Sequence, residues 1–244
     1  MPYRRLPNTD SARIRALKAA YDKGKSIPPF QLAYSQSTFA KVELFINSFE
    51  KAMAHYKAAY NHQVEKGKDY LQLMKKAKLY VSHFIQVLNM AINRGELQPS
   101  VREIYGMDLD ENRIPSLNTE KDLIEWGKKI IDGEMARMRK NQAPITNPTI
   151  AVVKVRYEQF IESYNHQKIL QQNTQRTLKE LNTLRTRADE IILSIWNEVE
   201  ASYIELPDDE RREKATEYGL TYVYRKNEIK GLKLLDRSLP SLFS

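Results

Sequence analysis

Histidines are the side chains of this sequence that could bind a metal ion or move a proton at neutral pH. The sequence contains four of them and no cysteine. His62 and His166 occupy the same place in a repeated Tyr-Asn-His-Gln segment. A di-iron helical bundle requires Glu-x-x-His pairs, whereas Glu162 precedes His166 by four positions. We therefore predict no metal site and interpret both histidines as repeat-matched polar positions; metal-dependent catalysis stays an alternative.

Five lysines that are close together in the sequence form the best candidate for a binding patch. They are Lys66, Lys68, Lys75, Lys76 and Lys78. Tyr70 and Tyr80 lie among them. Lysines can contact phosphate groups and aromatic rings can stack on bases, so this segment is a candidate nucleic-acid site. It lacks a helix-turn-helix or another framework that reads a groove. The alternative is an ordinary solvated helix face.

Motifs of catalysis and of cofactor binding are missing from the sequence. It contains no Gly-x-Ser-x-Gly nucleophile motif and no glycine-rich phosphate loop. Asp108, Asp110 and Asn112 alternate like the start of a calcium loop. However, Arg113 and Thr119 stand where that loop requires a glycine and a closing carboxylate. We expect no catalytic residues, no cofactor and no metal.

Composition and charge narrow the class of protein. The 244 residues are 41% hydrophobic and 29% charged, with 8 glycines and a mean hydropathy of −0.61. No run approaches the ~20 apolar residues of a membrane-spanning helix, and the first residues lack the apolar core of a signal peptide. We therefore expect a cytoplasmic protein without membrane contact.

The net charge of +8 is concentrated in the first 95 residues. Residues 1–25 carry 7 basic and 2 acidic side chains, and residues 26–95 carry 9 and 4, which gives +5 for each stretch. Such an excess can attract phosphate backbones or acidic partners.

Apolar residues at alternating spacings of four and three predict two long helical segments in the first half of the chain. They are Val42, Ile46, Phe49, Met53, Tyr56 and Tyr60, followed by Met74, Ala77, Val81, Phe84, Leu88 and Ala91. Because glycine interrupts helical patterns, we predict a turn near Gly67 and a first helical hairpin over residues 37–95. Tyr60 is expected to be a core ring.

The second half of the sequence repeats this pattern at an offset of 104 residues. Tyr60-Asn61-His62-Gln63 recurs as Tyr164-Asn165-His166-Gln167, and most positions of the apolar seam map onto apolar residues. We predict a second hairpin over 147–206 with its turn at 171–174, where Asn173 is the one helix breaker. Without that turn, residues 148–206 would form a single helix that needs a partner chain to cover it.

The predicted fold class is all-α, an elongated four-helix bundle built from two pseudo-repeated helical hairpins. Its core helices are 37–66, 68–95, 148–172 and 174–206. Residues 1–36 add a helix and an extended connection, 96–146 an irregular loop and an accessory helix with a capping box at 119–122, and 207–244 a short helix and a tail. Residues 222–224 have strand character without an identifiable partner. We expect one structural domain overall.

The opening segment Pro2-Tyr3-Arg4-Arg5-Leu6-Pro7-Asn8-Thr9-Asp10 resembles that of a family of all-helical proteins from Bacteroidetes-type bacteria. The likeness covers residues 1–25 and extends beyond them only in helical character. The resemblance implies a bacterial, all-helical protein and no particular activity.

A duplicated apolar seam without a catalytic set favours a non-enzymatic helical module or scaffold. We expect it to bind another protein or to associate with itself. The alternative is nucleic-acid binding through the basic first 95 residues.

Overall fold

The computed structural model describes residues 2–109 and 113–225, which are almost entirely helical. Within these ranges the helices are α1 Asp10–Ser26, α2 Gln36–Asn93, α3 Val101–Ile104, α4 Glu120–Arg139, α5 Ile150–Ser202 and α6 Asp208–Thr216. Two short strands, β1 Tyr3–Arg4 and β2 Tyr222–Val223, complete the described secondary structure together with a 3-10 turn at Pro29–Gln31. The predicted all-α class and the packing of long helices into a bundle are confirmed.

The two predicted hairpins are wrong, because each is a single helix. α2 continues for 58 residues through Gly67, and α5 continues for 53 residues through Asn173. A glycine inside a helix costs only about 1 kcal/mol relative to alanine. Packing of the apolar stripe on both sides of such a position outweighs that cost. The single-helix alternative for residues 148–206 is the correct one, and α2 of the same chain, rather than a partner chain, covers its apolar stripe.

The chain divides into two compact units, and each contains one part of α2 and one part of α5. The first unit comprises the chain up to Ala58 and from Gln175 onward, and the second comprises residues 59–174. Each unit has its own hydrophobic core.

In the first unit, the start of α2 lies beside the end of α5. Thr38 donates a hydrogen bond to Glu198 at 2.7 Å, and the guanidinium of Arg187 lies over the ring of Phe45. The two helices are therefore antiparallel. α1 and α6 pack on them and contribute to a core that includes Leu17, Ala20, Val42, Phe49, Ile192, Trp196 and Ala215.

In the second unit, the end of α2 lies beside the start of α5, again antiparallel. Tyr70 stacks on Phe160 with ring centroids 6.1 Å apart, and Arg156 lies over the ring of Tyr80. α3 and α4 pack on this pair. The core includes Ala77, Val81, Phe84, Leu88, Val101, Tyr105, Ile130, Val153 and Phe160.

The offset of 104 residues relates α2 and α5 as whole helices. Five pairs of matched seam residues are buried in both copies: Phe49 and Val153, Ala77 and Leu181, Phe84 and Ala188, Leu88 and Ile192, and Ala91 and Ile195. A shorter helix precedes each long helix and belongs to the same unit as its first part: α1 precedes α2 in the first unit, and α4 precedes α5 in the second. The repeated element is therefore a short helix followed by a long helix, not a hairpin.

The strand-like segment near the end of the described chain does have a partner. Tyr222 pairs with Arg4 and Val223 with Tyr3 in an antiparallel two-stranded sheet. The Tyr222 hydroxyl donates to Glu200 of α5 at 2.6 Å. The pairing joins opposite ends of the described chain, which explains why local sequence patterns do not reveal it.

α4 begins at the predicted capping box and tolerates an internal glycine because of close packing. The Asp122 N–H donates to the Thr119 hydroxyl at 3.1 Å, and the Asp122 carboxylate accepts from the Thr119 N–H at 3.2 Å. Farther along, Gly127 faces the ring of Tyr157 on α5, and a Cβ at this position would overlap that ring. The Tyr157 hydroxyl donates to the carbonyl of Ile124 at 2.9 Å.

Replacing Gly67 tests the continuity of α2. Gly67→Ala should raise the free energy of unfolding by about 0.5–1 kcal/mol, because alanine favours the helix. The added Cβ would meet nothing nearer than the side-chain amide of Gln167, at 3.6 Å. Gly127→Ala is the matched control and should lower stability, because its Cβ would overlap Tyr157. Urea unfolding followed by circular dichroism measures both, and a destabilised Gly67→Ala would contradict an unbroken helix at this position.

Candidate interaction surface

The structure brings together only some of the predicted polar residues. Lys66 and Asp69 of α2 line a groove of about 370 Å³ in the second unit, together with Glu162 and His166 of α5. His62 is exposed and does not line this groove. Among the described residues, no three histidine or carboxylate side chains are close enough to hold a metal ion. Residues 110–112 of the calcium-like segment lie outside the described residues.

The five predicted lysines do not share one face of α2. Lys68 and Lys75 are seven residues apart, so they lie on the same side of the helix, and both are exposed. Lys66 lies in the groove. Lys76 is rotated by about 100° from Lys75. Lys78 donates a hydrogen bond to the side chain of Asn118 at 3.0 Å.

Lys68 and Lys75 belong instead to a row of exposed residues that alternates aliphatic and basic side chains. We call it the basic stripe, and it consists of Val64, Lys68, Leu71, Lys75 and Leu79. Its aliphatic members are 45%, 50% and 48% exposed in chain order. The spacing of four, three and four residues from Val64 to Lys75 is the spacing at which one helix presents a seam to another.

No carboxylate interrupts the basic stripe. Glu65 and Asp69 lie beside the stripe: each directly follows a stripe residue and is rotated by about 100° from it, and Glu65 is about 60° from Lys68, three positions later. Within the part of the chain that the structure describes, neither Lys68 nor Lys75 forms an ion pair. The stripe therefore combines an uncompensated positive charge with exposed aliphatic surface, a combination that suits an acidic, partly apolar ligand.

The tyrosines among the lysines serve the interior of the second unit. Tyr70 is buried and its hydroxyl donates to Glu120 at 2.5 Å. Burial, and to a smaller extent the hydrogen bond to the Glu120 carboxylate, raise the pKa of this hydroxyl. Arg156 covers one face of Tyr80. The prediction that Tyr60 is a core ring is wrong, because 49% of it is exposed, whereas Tyr164 packs on the core.

A buried ion pair in the second unit was not predicted from the sequence. Glu134 and Arg137 of α4 are both fully buried, and two guanidinium nitrogens donate to the two carboxylate oxygens at 2.8 Å. The Tyr105 hydroxyl also donates to Glu134, as does the backbone N–H of Ile145 at 2.8 Å. Arg137 additionally donates to the carbonyl of Ala143 at 2.6 Å. Acidic and basic residues three apart usually form a solvated surface pair, so only tertiary packing distinguishes this one.

The electrostatics of this pair indicate a structural role. Burial raises the pKa of the Glu134 carboxyl, but the hydrogen bonds from Arg137, Tyr105 and Ile145 outweigh burial and hold the pKa below its ordinary value. Burial and the hydrogen bond to Glu134 raise the pKa of the Tyr105 hydroxyl. Because both charged side chains are inaccessible to solvent, and because both bond to residues 143–145, the pair holds α4 against the loop that follows it.

Comparison of the chain with protein-family models, with curated proteins and with solved structures gives no match. In residues 2–109 and 113–225, each helix is too short or too polar to cross a lipid bilayer. The candidate site therefore rests on the geometry and charge of the second unit.

Removing the charge of Glu134 should destabilise the protein in a pH-dependent way. At pH 7, Glu134→Gln should lower the free energy of unfolding by about 3–5 kcal/mol, because Arg137 remains as a buried charge without its counterion. The folded pKa lies below the ordinary carboxyl value of 4.5. The stabilisation is therefore complete above pH 4.5 and is lost as the pH falls through the folded pKa.

Urea unfolding between pH 7 and more acidic values measures this effect. The difference between wild type and Glu134→Gln should shrink as the pH falls. Glu125→Gln is the control, since Glu125 lies on the same helix in an exposed pair with Lys129 and should change stability little. Equal effects of the two substitutions would contradict a buried, charged Glu134.

Proposed function

We propose that this chain is a non-enzymatic helical interaction module that binds an acidic helix of a protein partner along the basic stripe. The observation that carries the proposal is the exposed seam of Val64, Lys68, Leu71, Lys75 and Leu79, which no carboxylate interrupts. A helix with glutamates opposite the lysines and leucines opposite the aliphatic side chains would complement this seam.

Both parts of the stripe contribute to such binding. Burial of exposed aliphatic surface supplies affinity at roughly 25 cal/mol per Å² before the costs of association. The lysines favour a partner with negative charge and increase its association rate, and their aliphatic stems can pack beside Leu71. A helix that carries lysines in place of the glutamates would be repelled.

Self-association is the form of this proposal in which the partner is a second copy of the chain. It predicts a dimer whose formation depends on the same residues. Light scattering at several concentrations distinguishes a dimer from a monomer that binds another protein.

A synthetic peptide provides a defined test of the proposal. A helical peptide with leucine and glutamate in the complementary four-three pattern should bind the full chain, and a version with lysine in place of glutamate should not. Lys68→Glu with Lys75→Glu should weaken binding of the glutamate peptide at least about tenfold, because attraction becomes repulsion at two positions. Fluorescence anisotropy of the labelled peptides measures both affinities.

Lys76→Glu with Lys128→Glu is the matched control. It makes the same change in net charge on exposed lysines outside the stripe and should leave peptide binding almost unchanged. Equal binding of the two peptides, or equal effects of the two double variants, would contradict the proposal.

Nucleic-acid binding is the second candidate function, and the absence of acidic residues from the stripe favours it as well. If Lys68 and Lys75 contact phosphates of duplex DNA, the logarithm of the affinity should fall with the logarithm of salt concentration with a slope of about −1.8. A short DNA duplex titrated across a salt series tests this. Tight, salt-sensitive DNA binding without glutamate-peptide binding would replace the protein-partner proposal.

A further inference from the structure

Four of the seven basic side chains in residues 1–25 form ion pairs and a fifth lies over an aromatic ring, whereas the remaining two lie in one place. Arg4 pairs with Glu200, Arg13 with Asp189, Lys18 with Glu50 and Lys23 with Glu217, while Lys25 lies over the ring of Tyr21. Within the described residues, the side chains of Arg5 and Arg15 have no such partner. Both of them line the same cavity of the first unit.

This cavity has a volume of about 450 Å³ and contains no acidic residue among those that line it. On one side, α1 contributes Ala12, Ala16 and Ala19, whose short side chains leave the space open. Trp196 of α5, which is almost completely buried, closes the interior.

Backbone contacts place Arg5 and Arg15 beside the cavity, and both residues are exposed. The N–H of Arg5 donates to the carbonyl of Thr221 at 2.8 Å, which extends the pairing of β1 with β2. The turn before β2 approaches α1 through Gly219, which has a φ of +85° and lies so close that a Cβ would come within 2.8 Å of the Ala16 carbonyl oxygen. Arg15 stands on α1, one position from the cavity-lining Ala16.

Polar groups of a second kind complete the lining. Asn8 and Thr221 contribute side chains that can donate hydrogen bonds, whereas the Thr216 hydroxyl already donates to the carbonyl of Glu213 at 2.6 Å. Arg15 also lines a neighbouring cavity that contains Glu50, but Lys18 already holds that carboxylate at 2.6 Å. The larger cavity therefore offers two cationic groups, uncharged hydrogen-bond donors and an apolar wall.

We propose that this cavity binds a small organic phosphate monoester. A phosphate monoester carries a charge of about −1.5 to −2 at pH 7 and three acceptor oxygens, which matches two guanidinium groups better than a single carboxylate does. The alanines, Leu6, Pro7 and Leu220 provide the apolar surface for the organic part of the ligand. The volume lies within the range of small-molecule sites, about 300–1,000 Å³. This site belongs to the first unit and does not depend on the function proposed for the basic stripe.

The two tryptophans of the chain make the test site-specific. Phenyl phosphate is titrated into the full-length protein labelled with nitrogen-15, while the indole N–H signals of Trp196 and Trp126 are followed by NMR. We expect the Trp196 signal to shift in a saturable way below about 10 mM phenyl phosphate. The Trp126 signal, from the second unit, should stay in place. Binding should weaken as the pH falls through about 6, where the phosphate loses its second charge.

Variants and ligand analogues decide the outcome. Arg5→Ala and Arg15→Ala should each raise the dissociation constant about tenfold, whereas Arg139→Ala, an exposed arginine of α4, should not change it. Unchanged circular dichroism and an unchanged Trp126 signal show that the variants are folded. No Trp196 shift, equal binding by both cavity variants and wild type, or benzoate binding as tight as phenyl phosphate would each overturn the proposal.

Discussion

Neither long helix can bury its apolar stripe without the other, and this constraint organises both units. α2 and α5 are 58 and 53 residues long, and most of the stability of helices in proteins comes from packing of an apolar face rather than from intrinsic propensity. In each unit, one part of α2 lies antiparallel to one part of α5. The matched burial of Phe49 with Val153 and of Leu88 with Ile192 follows from this mutual covering. A helix break within the seam would remove apolar contacts on both helices at once.

The shorter helices complete the two cores by different means. α1 is held by charge at its beginning, because Asp10 pairs with Arg185 and Arg13 pairs with Asp189 of α5. α4 combines the capping box at Thr119 with a close approach at Gly127 and the buried pair of Glu134 and Arg137. Burying two charges requires that most of their hydrogen bonds be satisfied, and Tyr105, Ala143 and Ile145 provide partners. The packing of α4 consequently also fixes the loop that leads into α5.

Ion pairing within the fold distinguishes cations that hold the structure together from cations that are available to a ligand. Most basic residues of the first unit's N-terminal stretch are held by carboxylates or by an aromatic ring. Arg5 and Arg15 in the first unit, and Lys68 and Lys75 in the second, are not. An uncompensated cation beside apolar surface keeps its attraction for an anion, because no internal partner competes for it. In the described part of residues 1–25, the net charge of the sequence therefore overstates the number of cations available to a ligand, because carboxylates and one aromatic ring hold all of them except Arg5 and Arg15.

The sequence by itself determined the all-α class, the heptad seam of α2, the capping box at Thr119 and the offset of 104 residues between the repeated parts. These features depend on local periodicity and composition, which are readable without a fold. It did not determine whether Gly67 and Asn173 end a helix. A glycine costs a helix only about 1 kcal/mol, and packing against residues far away in the chain can outweigh that cost. The candidate site was predicted only in part: Lys68 and Lys75 lie on the stripe, whereas Lys66 and Lys76 face elsewhere and Tyr70 is buried. Three features of the structure were not predicted: the pairing of β1 with β2, the burial of Glu134 with Arg137, and the cavity that both Arg5 and Arg15 line. The first and third bring together residues from separate elements, and the second depends on the residues that pack over α4. Only the tertiary structure could decide them, since whether a charged side chain is paired, buried or free depends on neighbours that are far away in the chain.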